Sequence, residues 1–167
     1  MTIETLFGQE TIPSKPRSIR FKVIKATYST LTIKEDLPEY FIKNRKIQSS
    51  CDISNLFSFL TQESKEYFLA LHLDTKNTIL CIDQVSVGSL SASIVHPREV
   101  MKTALLSSAA AIVFVHNHPS GCAEPSREDM EITTRLKQCC ELMGIRLLDH
   151  VIIGEGRHVS FADRGLL

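Results

Sequence analysis

The stretch Ala111-Ile112-Val113-Phe114-Val115-His116-Asn117-His118-Pro119-Ser120-Gly121 decides how the rest of the chain is read. Its first five residues are apolar without alternation, the pattern of a strand covered on both faces at the centre of a sheet. It delivers His116 at its end, and Pro119-Ser120-Gly121 then turns the chain. Downstream, Ser126 to Met143 reads as a helix with Met130, Thr133, Leu136, Cys140 and Met143 directed inward and Gly144 as its stop. Upstream, Pro97 opens a helix reaching about Ala110, in which Val100, Met101, Ala104 and Leu105 share one face. Tyr67 to Asp74 and Thr78 to Val87 flank a turn at Thr75-Lys76-Asn77 and read as an antiparallel hairpin. Ser91 to Val95 reads as a short strand, and Leu147 to Ile153 and His158 to Phe161, joined through Gly154-Glu155-Gly156, as a closing strand pair. A helix capped by Asp52, with Ile53, Leu56, Phe57 and Leu60 at helical spacing, opens this domain. The expected fold class is α/β, a mixed β-sheet flanked by helices over residues 47–167. Residues 1–46, with Pro13, Pro16, Pro38 and a strand-like run from Phe21 to Thr32, are expected to form a short N-terminal appendage.

A length of 167 residues suits one domain, and 43% hydrophobic with 23% charged residues is the composition of an ordinary globular chain. No apolar run approaches the ~20 residues of a membrane-spanning helix, so no membrane partner is expected. The start carries Glu4 and Glu10 and no basic stretch followed by an apolar core, which points to a cytoplasmic protein. The five cysteines, Cys51, Cys81, Cys122, Cys139 and Cys140, are odd in number and include no C-x-x-C pair. They are expected to be reduced thiols, mostly buried, rather than a disulfide framework or zinc knuckle. Formal net charge is +0, which offers no electrostatic footprint for nucleic acid. Residues 1–46 hold nine Lys/Arg against five Asp/Glu, and this surplus reads as a solvated basic face before it reads as a nucleic-acid arm.

The chemistry starts at His116-Asn117-His118. Side chains two apart at a strand end project to the same side, so two imidazoles can converge on one metal. Asp129, in the first turn of the following helix, can fold back to supply a third ligand. Two histidines and a carboxylate suit Zn2+ at ~2.0–2.2 Å and leave a fourth tetrahedral position for water, the mark of a catalytic rather than a closed site. Ser126 followed three residues later by Asp129 is equally a helix-capping arrangement, and the two roles can coexist. His72, His96 and His158 read as core or surface histidines; His150, in LLDHVIIG, is held open because its strand could adjoin the site.

The spacing His116-x-His118, seven residues, Ser126, two residues, Asp129 resembles the JAMM motif of the JAB/MPN metalloprotease superfamily. The words SASIVHPREVMKTAL, HNHPSG, PSREDMEIT, GIRLLDHVIIG and SFADRGLL resemble its RadC-like branch over most of residues 47–167. The resemblance implies a single MPN/JAB-type domain of the layered, cytidine-deaminase-like kind, although the deaminase signatures H-x-E and P-C-x-x-C are missing. It implies Zn2+ held by His116, His118 and Asp129, with an upstream glutamate acting on the water; the matching position is Glu66, in KEYFLALHLD, with Glu63 as its neighbour. Ser126 would donate to the oxyanion of the tetrahedral intermediate. The implied function is zinc-dependent hydrolysis of an amide bond in a peptide or isopeptide substrate. The alternatives are a non-catalytic MPN-type binding module and a DNA-repair or mobile-element-associated accessory protein. RadC proteins commonly carry a helix-hairpin-helix region, and residues 1–46, being short and strand-like, do not resemble one, so the resemblance lends DNA binding no support.

Overall fold

The computed structural model describes residues 27–29, 45–88 and 95–167. Apart from 27–29, 45 and 46, the expected appendage lies outside the described residues. Arg45 to Ile47 pair along the hairpin turn: Lys46 forms a bridge with Thr78, the Ile79 amide donates to the Arg45 carbonyl, and the Ile47 amide donates to that of Asn77.

Among the described residues, five strands form one mixed sheet in the order β2-β1-β3-β4-β5. Strands β1 (Glu66–Leu73) and β2 (Ile79–Gly88) are the expected hairpin. Its turn is tied by the Asp74 carboxylate, which accepts from the amides of Lys76 and Thr78 at 2.8 Å, an Asx turn that lets Asn77 take a φ of 63°. β3 (Ala111–Asn117) lies in the middle, antiparallel to β1 and parallel to β4 (Arg146–Gly154). Every residue of β3 is buried, as its unbroken apolar run requires. β5 (Arg157–Ser160) closes the sheet antiparallel to β4. The architecture is therefore α/β with a mixed sheet, as the sequence pattern implies.

Alternation along β3 sorts the core into two layers. Ala111, Val113 and Val115 pack with Leu71, Val151, Ile153, Phe57 and Leu60 under α1 (Ser50–Leu56) and the 3-10 helix that follows it. Ile112 and Phe114 face the other way, with Phe68, Val100, Ile132 and Leu136, under α2 (Pro97–Leu106) and α3 (Arg127–Leu142). Large side chains such as Phe57, Phe68 and Phe114 are fully buried, each contributing roughly 1.5–3 kcal/mol of transfer free energy. His116 shares the second face at the C-terminal end of this central strand, where its ring is fully buried and stacks on Phe68. Among the described residues, no helix is long and apolar enough to cross a membrane.

Several sequence expectations need correction. The cap of α1 is Ser49, not Asp52; Asp52 is the third helical residue, and its carboxylate returns to the Ser49 amide at 3.0 Å while Ser49 Oγ accepts from the Asp52 amide. α2 stops at Leu106 rather than Ala110, because Ser108 takes a left-handed φ of 56° and Ala110 already donates to the Leu73 carbonyl at the start of the sheet. Met143, the C-cap of α3, is 46% exposed, and Ile132, outside the expected inward set, is buried. The helix overshoots its packing surface by the last turn before Gly144 reverses it at φ +69°. Of the strand expected at Ser91–Val95, only Val95 is described; it is buried and lies in no strand. All five cysteines are free, as expected, yet only Cys140 is buried; Cys51 and Cys122 sit at the solvent face of a helix and in a loop.

Candidate metal centre

β3 and the loop after it carry the two histidines, and α3 carries the carboxylate. A capping box holds Asp129 in place: Ser126 Oγ accepts from the Asp129 amide at 3.1 Å, while Asp129 Oδ2 accepts from the Ser126 amide at 2.7 Å and from Ser126 Oγ at 2.6 Å. The helix start thus aims a 2%-exposed carboxylate at the strand end. Asp129 Oδ1 lies 3.1 Å from His116 Nε2, and Oδ2 lies 3.4 Å from His118 Nε2. The two Nε2 atoms are 3.0 Å apart, and the ligand atoms of all three residues fall within 4.8 Å of one another.

The donor set fits a divalent metal. His118 Nδ1 is 2.7 Å from the Cys122 carbonyl, which can only accept, so the His118 proton sits on Nδ1 and its Nε2 presents a lone pair. That lone pair, the facing His116 Nε2 and an anionic carboxylate converge on one point, the N/O combination zinc takes. Without a cation, such a cluster must recruit protons. Burial lowers the pKa of fully buried His116 below its ordinary 6.5, against the opposing pull of Asp129 and Glu66. His118 moves upward, first through its hydrogen bond to Asp129, with Glu66 adding in the same direction. For Asp129, burial pushes up but the hydrogen bonds from His116 and His118 win, holding the carboxyl well below the usual range.

Glu66 is the first residue of β1. Phe68 pairs with His116 across the antiparallel ladder, and Glu66, two residues earlier on the same face of β1, opens that strand at the end of the sheet where His116 stands. An open cleft lined by Ser64, Lys65, Glu66, Gly88 and Pro119 adjoins this end of the sheet. Glu63 faces elsewhere: after burial, its charge and its hydrogen bond are what raise the Tyr67 pKa. Ser126 is exposed, and its single hydroxyl proton is directed at Asp129 Oδ2.

Asn117 and Thr133, which the sequence pattern does not mark for the site, and His150, which it leaves open, all support it. Asn117, between the histidines, is 1% exposed; its Oδ1 accepts from the Tyr67 amide at 2.8 Å, and its Nδ2 donates to the carbonyls of Leu60 and Lys65. It therefore fastens the segment before Glu66 to the strand that bears the ligands. His150, the residue held open, is 0% exposed, with Nε2 2.8 Å from His116 Nδ1. Burial, then the neighbouring His116, drives its pKa well below 6.5, so the ring is neutral. Thr133 Oγ1 lies 2.6 Å from His150 Nδ1. Periodicity marks Thr133 as inward-facing, and the packing of α3 on the sheet sets it against the His150 ring.

Gly154, at the end of β4, shapes the loop that carries His118. The His118 amide donates to the Ile153 carbonyl, and Glu155 donates to that of Gly121. A Cβ at Gly154 would lie 2.5 Å from the Gly121 carbonyl oxygen and 2.9 Å from the Ala123 amide nitrogen, both backbone atoms. Gly154→Ala is expected to cost about 1–3 kcal/mol by overpacking and to weaken metal retention, because relief requires moving the His118–Ala123 loop. A denaturant midpoint and zinc content both equal to wild type would contradict this.

The model of the RadC-like JAB domain family matches residues 47–166. The chain belongs to the RadC-like JAB domain family. A UPF0758 protein of Methanosarcina mazei is 52% identical over 124 residues, covering 74% of this chain and 54% of the relative. A UPF0758 protein of Geobacter sulfurreducens is 61% identical over 103 residues, covering 62% and 45% respectively. This RadC-like JAB domain chain thus spans about half the length of the curated relatives it matches.

Proposed function

We propose that the chain is a zinc-dependent hydrolase of amide bonds acting on a peptide or isopeptide. The observation that carries the reading is the convergence of His116 Nε2, His118 Nε2 and the Asp129 carboxylate at 3.0–3.4 Å, with the remaining His118 proton committed to a backbone carbonyl. His116, His118 and Asp129 would hold the metal. Zinc bound there would supply Lewis acidity and bring the pKa of a water toward ~7. Glu66, on the same face at the cleft, accepts the proton of the attacking water on its carboxylate and returns it to the leaving amine. Ser126 donates to the developing oxyanion, which requires its hydroxyl proton to turn away from Asp129. The free thiols fit a reducing compartment, and we place the protein in the cytoplasm.

The test is a peptide and isopeptide library presented to the full chain loaded with zinc. Cleavage that releases a new amine, stops with a chelator and returns with added zinc is the expected result. A protein that carries stoichiometric zinc yet cleaves nothing would favour a binding module that retains the metal.

A further inference from the structure

The ring of His116 can bind a metal through Nε2 only if its own proton sits on Nδ1, and hydrogen bonds outside the ligand set decide that. We propose that Thr133 and His150 are positioning residues that lock His116 in its Nδ1–H tautomer and so keep Nε2 bare for zinc. This rests on the zinc reading above.

The assignment follows from counting protons along one chain of contacts. Thr133 Oγ1 is 2.6 Å from the Asp129 backbone carbonyl and 2.6 Å from His150 Nδ1. A carbonyl only accepts, so the one hydroxyl proton of Thr133 goes to Asp129. The hydroxyl oxygen must then accept from its other neighbour, which puts a proton on His150 Nδ1. A neutral His150 therefore offers a lone pair at Nε2, 2.8 Å from His116 Nδ1, and the proton between the two rings belongs to His116. His116 Nε2 is left bare, facing Asp129 Oδ1 at 3.1 Å and His118 Nε2 at 3.0 Å.

The reverse polarity has an opposite consequence. If Thr133 donated to His150, the proton of His150 would sit on Nε2 and that of His116 on its own Nε2, pointing at Asp129. That state suits a metal-free hydrogen bond from His116 to the carboxylate and competes with the metal. The contact from Thr133 to the Asp129 carbonyl selects against it, one helical turn behind the ligand carboxylate. Phe68, Phe114 and Phe161 pack around the His150 ring at centroid distances of 5.4, 6.0 and 4.8 Å, and both of its ring nitrogens face protein partners.

Zinc affinity of the full chain, measured by competition with a chromophoric chelator, would be compared for wild type, Thr133→Val, His150→Phe and His150→Gln. Long-range proton–nitrogen NMR of the histidine rings would be recorded on the zinc-loaded wild type. Expected are Nδ1–H tautomers for both His116 and His150, and affinity lower by roughly 10–100-fold in Thr133→Val and His150→Phe. His150→Gln, whose side-chain carbonyl can accept from His116 Nδ1, should recover part of the loss, as a packing role would not predict. A proton found on His150 Nε2, or wild-type affinity in both folded variants, overturns the lock while leaving the zinc reading intact. Failure of wild type to bind zinc overturns that reading instead and the lock with it. Should both variants fail to fold, the tautomers of wild type decide alone.

Discussion

Glu66→Gln is expected to lower turnover of a cleaved peptide or isopeptide by about 10²–10⁴-fold while zinc content and thermal stability stay at wild-type values. The amide is nearly isosteric with the carboxylate and removes only the ionisable group. Glu66 sits at the first position of β1, backbone-paired with Gly88 across the hairpin, so the substitution leaves the ladder unchanged. Its charge reaches both His116 and His118, opposing burial at the first and reinforcing the Asp129 hydrogen bond at the second. A group so placed can act on a proton beside His116 and His118 without belonging to the cluster that would hold a metal. The check is kcat on the zinc-loaded protein beside its metal stoichiometry. Equal turnover would show that Glu66 is not the base, and the interaction of Glu63 with Tyr67 makes that neighbour a poor replacement. Ser126→Ala reports less cleanly: the same hydroxyl caps α3, and losing the cap costs about 1 kcal/mol by itself.

The sequence discloses whatever depends on short-range pattern. The unbroken apolar run into His116 marks the central strand, Pro97 and Gly144 punctuate helices, and alternation marks the hairpin. The spacing from His116 to Asp129 is likewise local, since a strand end, a turn and a helix start bring the three ligands together over 14 residues. Errors fall at element ends, where a residue's partner lies elsewhere. Ser49 and Asp52 are both capable caps, and only the returning hydrogen bond tells which residue starts the helix. Met143 continues the apolar period of α3, but the helix has by then run past the sheet, a length relation no single helix contains. The contacts behind the candidate ligands depend on strand pairing too, which is why the sequence leaves His150 open without naming its partner. His150 is 34 residues from His116 and meets it only because β4 lies parallel to β3, with a register shift between Ile112 and Val113. Asn117 shows its role only when β1 docks and the Tyr67 amide needs an acceptor.

The double substitution His116→Ala with His118→Ala is expected to abolish zinc binding and with it any metal-dependent stabilisation. A ligand that binds only the folded state stabilises it by about 2.7 kcal/mol at one hundred times its Kd. For a chain of this size that is a rise in Tm of roughly 5–10 °C, which the double variant should lack. The pH dependence carries a sign of its own. Coordination needs neutral imidazole, and Asp129 holds the His118 pKa above the ordinary 6.5. The zinc-dependent rise in Tm should therefore begin to shrink while the pH is still above 6.5. The metal-free wild type behaves differently from His118 alone. His116 and His150 have lowered values, so below pH 6.5 the unfolded chain takes up protons that the folded one refuses, and their contribution to stability falls as the pH drops toward the folded values. His118, with its raised value, contributes stability below 6.5 and loses it as the pH rises through the folded value, so it offsets part of the acid loss. Replacing His116 and His118 removes one source of the acid loss together with its offset and leaves His150 as the buried ring of the three, so an acid loss should persist. Equal zinc content in wild type and double variant, measured on protein purified without chelator, would remove the site from these residues altogether.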